Sequence, residues 1–348
     1  MRSLNVKEDI TIIEAMKILN KTARKCLLVV DNQNKLLGTL TDGDLRRSIL
    51  SGVKFLDSIQ NSYNTKPTTL IQNNYSVEEA KQLLRDCKFD LIPVLDQDQN
   101  VVDYVTWSSF GHEVQPEKTL SDIPVVIMAG GKGTRLEPFT KILPKPLVPV
   151  HDKPIIEHII DRFTDLGCSD FHLTVNYKSK ILKAYFEELQ PSYGIHFVEE
   201  KKPLGTGGSL RFLKGKFSSP FFVTNCDIII KADYASLYEF HLKGCYDVSL
   251  VASTKEYTIP YGTCVLNDDG HLSHINENPH YDFLINTGLY ILNPDILELI
   301  PENTFYHITH LIEDAKNQGK KVGVFPINDD AWIDVGHWAE YKKAAERL

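Results

Sequence analysis

The sequence predicts an α/β protein with a doubly wound, mostly parallel sheet, preceded by a small α+β domain. The α+β domain is indicated by an internal repeat in the first hundred residues, in which short strands are expected to pair within each copy. The doubly wound sheet is indicated by apolar strands that alternate with amphipathic helices from about residue 122 onward. A chain of 348 residues is long enough to form two such domains.

The composition is that of a soluble globular protein, with 42% hydrophobic and 24% charged residues. Lys and Arg number 38 against 46 Asp and Glu, and the formal net charge of −8 disfavours nucleic-acid binding. No apolar stretch approaches the roughly 20 residues that cross a bilayer, and the first residues lack the apolar core of a secretory signal. We therefore expect a cytoplasmic protein without nucleic-acid or membrane partners. The six cysteines have no CxxC spacing, which predicts reduced, mostly buried thiols and neither zinc nor disulfides.

The two copies of the repeat span about residues 1–60 and 61–117, and they match without gaps at an offset of 65 residues. Residues with helical spacing coincide when Ile12, Glu14, Ala15, Ile18 and Leu19 are placed on Val77, Glu79, Ala80, Leu83 and Leu84. Each copy is predicted to form a helix, a strand, a polar turn, a second strand and a final helix that begins at a threonine. One copy cannot cover both faces of its own hairpin, so we expect the two copies to pack into one domain.

This pattern resembles a tandem pair of CBS domains over residues 1–117. The resemblance implies that Thr41 and Asp44 hold the phosphate and ribose of an adenosine nucleotide, AMP or ATP. A helix N-terminus suits phosphate, and a carboxylate accepts hydrogen bonds from ribose hydroxyls. Ser109 replaces the aspartate in the second copy, so at most one good site is expected. The alternative is that Thr41 and Asp44 only cap a helix.

A polar linker at residues 111–122 leads into a second domain that is expected to span residues 122–348. We predict strands at 124–129, 171–176, 195–200 and 221–227, and helices at 154–167 and 181–190. In such sheets ligands bind at the carboxyl ends of the strands. The site is therefore expected in the loops after Ala129 and Val198 and at Asp227.

The segment after the first of these strands, AGGKGTRLEPFTKILPKPLVPV, is rich in groups that bind phosphate. Glycines leave backbone N–H groups free to approach a phosphate chain, and nearby side chains add a hydroxyl and cations. These groups belong to Gly130, Gly131, Gly133, Thr134, Arg135, Lys141 and Lys145. The spacing matches neither a Walker A loop nor G-x-G-x-x-G, so neither a kinase nor a dehydrogenase is favoured.

GGKGTRLEP followed by PKPLVPV resembles the sugar-1-phosphate nucleotidyltransferase family, and the resemblance runs from Pro124 to the C-terminus. It implies transfer of a nucleoside monophosphate to a sugar 1-phosphate, release of pyrophosphate, and Mg²⁺ as cofactor. The implied catalytic residues are Arg135, Lys145 and Asp227, with Asp227 and Asp334 as the magnesium ligands. The implied nucleotide-binding residues are Ala129, Gly130, Gly131, Gly133, Thr134, Gly205, Thr206 and Gly207. The implied sugar-binding residues are Glu277, Asn278, Asn286 and Thr287.

The base and the sugar are less constrained by the residues. Glu199 and Glu200 end a strand just before LGTGGSL, and a carboxylate such as that of Glu199 suits the two N–H donors of guanine, which favours GTP. Many relatives have Glu-Lys-Pro near the sugar, whereas this chain has Asn278 in place of the lysine. His307 and His310 form an H-x-x-H pair with no third ligand in view, so packing is favoured over metal binding.

The fusion of a CBS pair to such a transferase resembles the guanylyltransferases of legionaminic-acid-type nonulosonate pathways. This resemblance favours glucosamine 1-phosphate as the sugar substrate and a GDP-hexosamine as the product. The alternatives are a mannose- or heptose-1-phosphate guanylyltransferase, a uridylyl- or thymidylyltransferase, and a non-catalytic sensor of adenine nucleotides. CBS pairs commonly assemble with one another, so a homo-oligomer is expected.

Overall fold

A computed structural model describes residues 4–22, 25–87, 89–110 and 119–347. The chain forms two compact units. The first contains most residues before position 116 together with Ser253–Ile285 and Asn328–Asp330, and the second contains most of the remaining chain. The inclusion of residues 253–285 in the first unit is a feature that the sequence did not indicate. Most of the predicted linker at 111–122 lies outside the described residues.

The first N-terminal repeat forms a three-stranded sheet with two helices. Its elements are β1 (Asn5–Val6), α1 (Ile12–Thr22), β2 (Cys26–Val30), β3 (Leu36–Thr41) and α2 (Asp42–Leu50). Strand β1 is parallel to β2, and β2 is antiparallel to β3. Helix α1 buries residues with the spacing of an amphipathic helix, including Ile12, Ala15 and Leu19. The predicted order of elements is therefore present in this copy.

The second repeat contains β4 (Leu70–Ile71), α3 (Val77–Asp86), β5 (Ile92–Leu95) and β6 (Val101–Val105). Its sheet has the same strand order as the first, and its hairpin register shifts at the equivalent place, between Val94 and Leu95. The two polar turns pair with each other, because the backbone N–H of Leu36 donates to Gln99 and that of Val101 donates to Asn34.

The prediction of a final helix in the second repeat is wrong for the described part of that segment, which ends at residue 110. In its place residues 107–110 form one turn of 3₁₀ helix. Thr106 still begins this turn, since its backbone N–H donates to the Ser109 hydroxyl at 3.1 Å. Ser109 accepts this hydrogen bond without the negative charge that Asp44 provides at the equivalent helix N-terminus, and Gly111 follows immediately. Both differences weaken helix formation at this position.

The rest of the chain supplies thirteen strands and six helices of the described residues. The strands are β7 (Val125–Met128), β8 (Pro149–Val150), β9 (Lys153–Pro154), β10 (Asp170–Val175), β11 (Gly194–Glu199), β12 (Phe221–Asn225), β13 (Ile228–Ile230), β14 (Val248–Thr258), β15 (Thr263–Leu266), β16 (Leu272–Asn276), β17 (His280–Leu292), β18 (Val322–Asn328) and β19 (Trp332–Asp334). The helices are α4 (Ile155–Thr164), α5 (Ser179–Leu189), α6 (Gly205–Gly208), α7 (Tyr234–Lys243), α8 (Ile308–Asn317) and α9 (Trp338–Arg347).

The central sheet has the strand order β11-β10-β7-β12-β17-β14-β18. Strands β11, β10, β7 and β12 are parallel neighbours, and β17 joins β12 in the antiparallel direction. The two faces of the sheet pack into different cores, because Val125 and Ile127 contact the core that holds α4, whereas Val126 and Met128 contact the core that holds α8. The predicted doubly wound, mostly parallel sheet is confirmed.

Burial of the cysteines is more even than expected. Cys26, Cys168 and Cys226 are buried, whereas the other three are exposed, and all six are free thiols. The expectation of mostly buried thiols is therefore wrong for half of them.

None of the helices in the described ranges has the length and the apolar composition to span a membrane.

Candidate functional site

A cleft lies at the carboxyl ends of the parallel strands of the second unit. It consists of two cavities that share Arg135, Thr206, Asn225, Asp227 and His307. We call one the glycine-loop cavity, because it is lined by Gly130, Gly131 and Gly133, and it measures about 360 Å³. We call the other the α8 cavity, because Ile308 and Thr309 line it, and it measures about 380 Å³. This location agrees with the general rule for open α/β sheets.

The glycine loop lines its cavity with backbone. A Cβ at Gly131 would project into open space. At Gly133, where φ is +68°, a Cβ would lie 2.9 Å from the Cβ of Lys145, so only glycine lets the loop approach that segment. The side chains of Thr134 and Arg135 line the same cavity, and Arg135 also contacts His337. The loop therefore presents backbone donors and one guanidinium to the same space.

Lys145 and Asp227 form a buried ion pair at the bottom of the glycine-loop cavity. The Lys145 ammonium donates to Asp227 Oδ2, and the two residues are only 8% and 7% exposed. Burial alone would lower the pKa of Lys145, but the Asp227 carboxylate raises it overall, so the ammonium stays charged. Lys145 starts a short 3₁₀ turn between Pro144 and Pro146, which fixes its backbone.

Asp334 lies beside this pair because β19 is antiparallel to β13, with Asp334 opposite Ile228. Burial raises the pKa of the Asp334 carboxyl, and the nearby Asp227 adds to the rise. The backbone N–H of Gly336 donates to Asp334 Oδ1 at 2.6 Å. A Cβ at Gly336 would collide with Asp227 Oδ2 and would lie 2.9 Å from Asp334 Oδ1. Both carboxylates therefore border one small space that a single methyl group would fill.

This arrangement fits a divalent cation. Two carboxylates are hard oxygen ligands, and Mg²⁺ in phosphate-transferring sites is commonly held by one or two of them together with substrate phosphates. Burial raises the pKa of the Asp334 carboxyl, and a divalent cation held by the two carboxylates would favour their charged forms. The predicted pair of magnesium ligands is thus brought together by the fold.

Glu200, and not Glu199, reaches the glycine-loop cavity. Successive side chains of a strand point to opposite faces. Glu199 therefore points away and contacts Lys183 on α5, whereas Glu200 lines the cavity and is 8% exposed. Burial raises the pKa of Glu200, although the Leu204 N–H donates to its carboxylate at 3.0 Å. The structure therefore places Glu200 at the cavity and the predicted Glu199 away from it.

The glycine-rich turn α6 packs directly on the chain before α8. The backbone N–H groups of Gly207 and Gly208 both donate to the Tyr306 carbonyl, at 2.9 and 3.0 Å. A Cβ at Gly205, where φ is +79°, would lie 2.6 Å from that same carbonyl. The Thr206 hydroxyl accepts from the Ile308 N–H, the first of α8. The turn thus fixes the N-terminus of α8, which faces the α8 cavity.

Besides Glu199, two predicted nucleotide-binding residues do not line either of the two cavities. Gly207 is buried against His307, where its missing side chain permits close packing. Ala129 is 2% exposed, and its N–H donates to the Thr174 carbonyl within the sheet. The residues of the same motifs that do line the cleft are Gly130, Gly131, Gly133, Thr134, Gly205 and Thr206.

The predicted sugar-binding residues fall into two groups. Asn286 and Thr287 line the α8 cavity, although the Thr287 hydroxyl already donates to the Val251 carbonyl at 2.9 Å. Glu277 and Asn278 lie in the exposed turn between β16 and β17, grouped with the first unit. Among the described residues that line the two cavities, neither Glu277 nor Asn278 occurs. The structure therefore brings together only the first group.

Several lining residues were not predicted. Asn225 directly precedes the Cys226-Asp227 turn, and its side chain packs against Gly288. Position alone, at the carboxyl end of a strand, is a signal that would have identified it. Packing was favoured over metal binding for His307, yet this residue lines both cavities at the N-cap position of α8.

Comparison with known proteins supports these motifs. A family model described as nucleotidyl transferase matches residues 124–348, and a CBS domain model matches residues 2–51. A mannose-1-phosphate guanyltransferase of Pichia angusta is 34% identical over 221 residues, which cover 61% of this chain and 60% of that protein. Its namesake in Schizosaccharomyces pombe is 35% identical over 227 residues, covering 62% and 61%. The chain thus spans about 60% of the length of these curated relatives.

Solved structures resemble the second unit in fold. HddC from Yersinia pseudotuberculosis complexed with GMP-PN is 27% identical, with a TM-score of 0.51, and the match covers 65% of this chain and 99% of that one. A protein named as a putative glucose-1-phosphate thymidylyltransferase from Bacillus anthracis is 18% identical with a TM-score of 0.51. The match covers 64% of this chain and 94% of that one, and it supports the fold alone.

Proposed function

We propose, from the premise that this chain belongs to the nucleotidyl transferase family, that it transfers a guanylyl group from GTP to a hexose 1-phosphate. The observation that carries this proposal is that Lys145, Asp227 and Asp334 meet beside a glycine loop with open backbone donors. The relatives named as mannose-1-phosphate guanyltransferases support the guanine nucleotide and the class of acceptor.

The glycine-loop cavity suits the triphosphate and the base. Backbone N–H groups of the loop and the hydroxyl of Thr134 would donate to phosphate oxygens, and Arg135 would neutralise the departing pyrophosphate. Glu200 would accept hydrogen bonds from the N1–H and N2–H groups of guanine. Thymine and uracil offer one such N–H between two carbonyl groups, so the Glu200 carboxylate would disfavour them.

The transfer itself needs little from the protein beyond position and charge. An oxygen of the sugar phosphate attacks the α-phosphorus in line, the bond from that phosphorus to the bridging oxygen breaks, and pyrophosphate leaves with the bond's electrons. Asp227 and Asp334 would hold Mg²⁺, which lowers the negative charge that repels the attacking phosphate. Lys145 would then donate to an oxygen of the α-phosphate from its fixed position next to Asp227.

The α8 cavity adjoins the reaction centre and suits the acceptor. Asn286 provides an amide at its wall, and the N-terminus of α8 favours an anionic group at its opening. Two acceptors deserve a direct comparison. The domain architecture favours glucosamine 1-phosphate, and the names of the curated relatives point to mannose 1-phosphate. Both would give a GDP-hexose product and the same pyrophosphate.

The experiment is an assay of pyrophosphate release with Mg²⁺, in which GTP, UTP, dTTP, CTP and ATP are crossed with glucosamine-, mannose-, glucose- and heptose-1-phosphate. We expect turnover with GTP and one hexose 1-phosphate. Asp227→Asn should abolish turnover, whereas Asp295→Asn, which changes an exposed carboxylate outside the cleft, should not. Full activity of Asp227→Asn would contradict the metal role. Binding of GTP without turnover on any acceptor would favour a nucleotide sensor.

We further propose that an adenosine nucleotide binds at Thr41 and Asp44 in the first repeat. Without a ligand these residues form a reciprocal helix cap, in which the Thr41 N–H donates to Asp44 at 2.8 Å and the Asp44 N–H donates to Thr41 at 3.2 Å. Calorimetric titration of AMP and ATP into the protein and into Asp44→Ala tests this site. Retained heats of binding in Asp44→Ala would contradict it. We also propose that the protein acts in the cytoplasm. We propose in addition that it forms a homo-oligomer, and sedimentation can test the oligomeric state.

A further inference from the structure

The amino-terminal end of the central sheet carries a cluster of one carboxylate and two imidazoles. Asp170 is the first residue of β10, and His172 follows it on the same face of the strand. His196 on the neighbouring edge strand β11 is the direct register partner of His172. The cleft lies at the opposite, carboxyl end of these strands, so this cluster is separate from the proposed reaction.

The ligand atoms of the three side chains converge. Nε2 of His172 and Nε2 of His196 lie 3.2 and 3.3 Å from the same oxygen, Asp170 Oδ1. All three ligand atoms lie within 4.8 Å of one another. Zinc forms bonds of about 2.0–2.1 Å to imidazole and carboxylate, so neighbouring ligands of a tetrahedral site are about 3.3 Å apart. Two of the three distances between ligand atoms, those from Asp170 Oδ1 to the two ring nitrogens, already have about that length.

One carboxylate oxygen of the cluster is not satisfied by a hydrogen bond. Asp170 Oδ1 is buried and, among the described residues, no donor reaches it with hydrogen-bond geometry, although two ring nitrogens are close. The Nε2 atom of His172 is instead hydrogen-bonded, at 3.3 Å, to the other oxygen of the same carboxylate, Asp170 Oδ2. His172 is only 7% exposed, and its ring is held by stacking on His196 and by an edge contact with Phe217 at 4.9 Å. A desolvated carboxylate oxygen without a donor is costly.

We propose that Asp170, His172 and His196 form a zinc site that joins the edge strand β11 to β10. Two imidazoles and one carboxylate are a donor set suited to Zn²⁺ and to other late first-row divalent ions, in contrast to the all-oxygen pair at Asp227 and Asp334. Half of the His196 side chain is exposed to solvent, so a water molecule completes the coordination. A bound cation would satisfy the orphaned oxygen of Asp170.

The consequence for the molecule is mechanical. Strand β11 is at the edge of the sheet and pairs with β10 alone in that sheet among the described strands. Its carboxyl end delivers Glu200 to the glycine-loop cavity. A metal link at its other end would hold β11 in register and raise the stability of the second unit as the free zinc concentration rises above the dissociation constant.

The test is a zinc titration against a chromophoric chelator, in saturating Mg²⁺ and with accessible thiols alkylated, together with thermal unfolding. We expect one equivalent of zinc to bind the wild-type protein and to raise its Tm. In His196→Gln, which changes an exposed residue, affinity should fall by at least roughly a hundredfold, since even outer-sphere partners of a metal are worth tenfold to a hundredfold. The zinc-dependent rise in Tm should disappear as well.

Asp170→Asn and a matched histidine variant complete the design. Asp170→Asn keeps the side-chain shape but removes the charge. This variant should also fail to bind the one equivalent of zinc. His271→Gln is the control, because His271 is an exposed histidine whose Nε2 is 3.9 Å from an oxygen of Asp269. It should bind zinc as the wild-type protein does. Equal zinc affinity in the wild-type protein and His196→Gln would overturn the proposal, as would a Tm that zinc does not change.

Discussion

Gly336→Ala is the smallest change that should disable the proposed reaction. Gly336 is buried and does not have a positive φ, so alanine can adopt its backbone conformation without strain. The added methyl group would nevertheless collide with Asp227 Oδ2, lie 2.9 Å from Asp334 Oδ1 and lie 3.4 Å from Lys145 Nζ. The three atoms nearest to the added methyl group therefore all belong to charged groups of the proposed reaction centre.

The size of the effect follows from these contacts. Non-bonded carbon contacts are most favourable at separations of about 3.5 Å or more, so Asp334 must retreat by roughly 0.6 Å and Asp227 by more. A misplacement of about 1 Å at a catalytic site costs on the order of a hundredfold in rate. We thus expect kcat/KM to fall about a hundredfold, which corresponds to about 2.7 kcal/mol of transition-state stabilisation. The Mg²⁺ concentration for half-maximal activity should rise at the same time.

The assay is pyrophosphate release at several Mg²⁺ concentrations, with thermal unfolding as a check on folding. Gly194→Ala, at the start of β11, is the matched control, because its Cβ would make only ordinary contacts, 3.5 Å from the Ser169 carbonyl oxygen and 3.6 Å from His196 Nε2. It should keep wild-type activity. If Gly336→Ala is folded and remains within threefold of wild type with unchanged Mg²⁺ dependence, the assignment of the two carboxylates to the metal is refuted.

Three further predictions concern charge and backbone. Lys145→Met leaves the Asp227 carboxylate buried and unpaired, which should lower the free energy of unfolding by about 3–5 kcal/mol. Mg²⁺ should therefore raise Tm more in this variant than in the wild-type protein. Thermal melts with and without Mg²⁺ test this prediction. Glu200→Gln should reduce the kcat/KM preference for GTP over UTP at least tenfold, whereas Glu199→Gln should not. Because burial raises the pKa of Glu200, the wild-type KM for GTP should rise as the pH falls through that raised value, and Glu200→Gln should lack this rise; identical pH profiles would argue against a role in base recognition. Gly215→Ala, with φ of +74° and open space around its Cβ, should cost about 1 kcal/mol. Gly205→Ala, which adds a backbone clash at a similar φ, should cost at least about 2 kcal/mol more in urea unfolding, and equal costs would contradict the packing assigned to the turn.

Residue type and spacing predicted most of the residues that the fold brings together in the cleft. The glycine loop, Lys145 and Asp227 each lie in a short sequence motif that can be recognised without knowledge of the fold. The parallel sheet then brings the ends of their strands together, as its topology requires. Pairing of β13 with β19 adds Asp334, which the WIDVG segment had already indicated.

The errors arise where neighbouring residues differ only in direction. Glu199 and Glu200 are chemically identical, and the face of the strand that meets the cavity decides between them. Gly207 was assigned to the nucleotide because glycine-rich turns often bind phosphate, whereas here the missing side chain lets α6 pack on the Tyr306–His307 backbone. Residue spacing also did not predict that residues 253–285 belong to the first unit, because long-range contacts decide that division.

The pairing of β13 with β19 also constrains the order in which the molecule is assembled during synthesis. Asp334 reaches a site whose glycine loop lies about two hundred residues earlier in the chain, so the cleft depends on contacts of high sequence separation. A ribosome-bound chain that has emerged only as far as β13 contains Lys145 and Asp227 but not the second carboxylate. Such a chain holds only one of the two carboxylates proposed for the metal, and the pair is complete only after β19 has been synthesised and paired with β13.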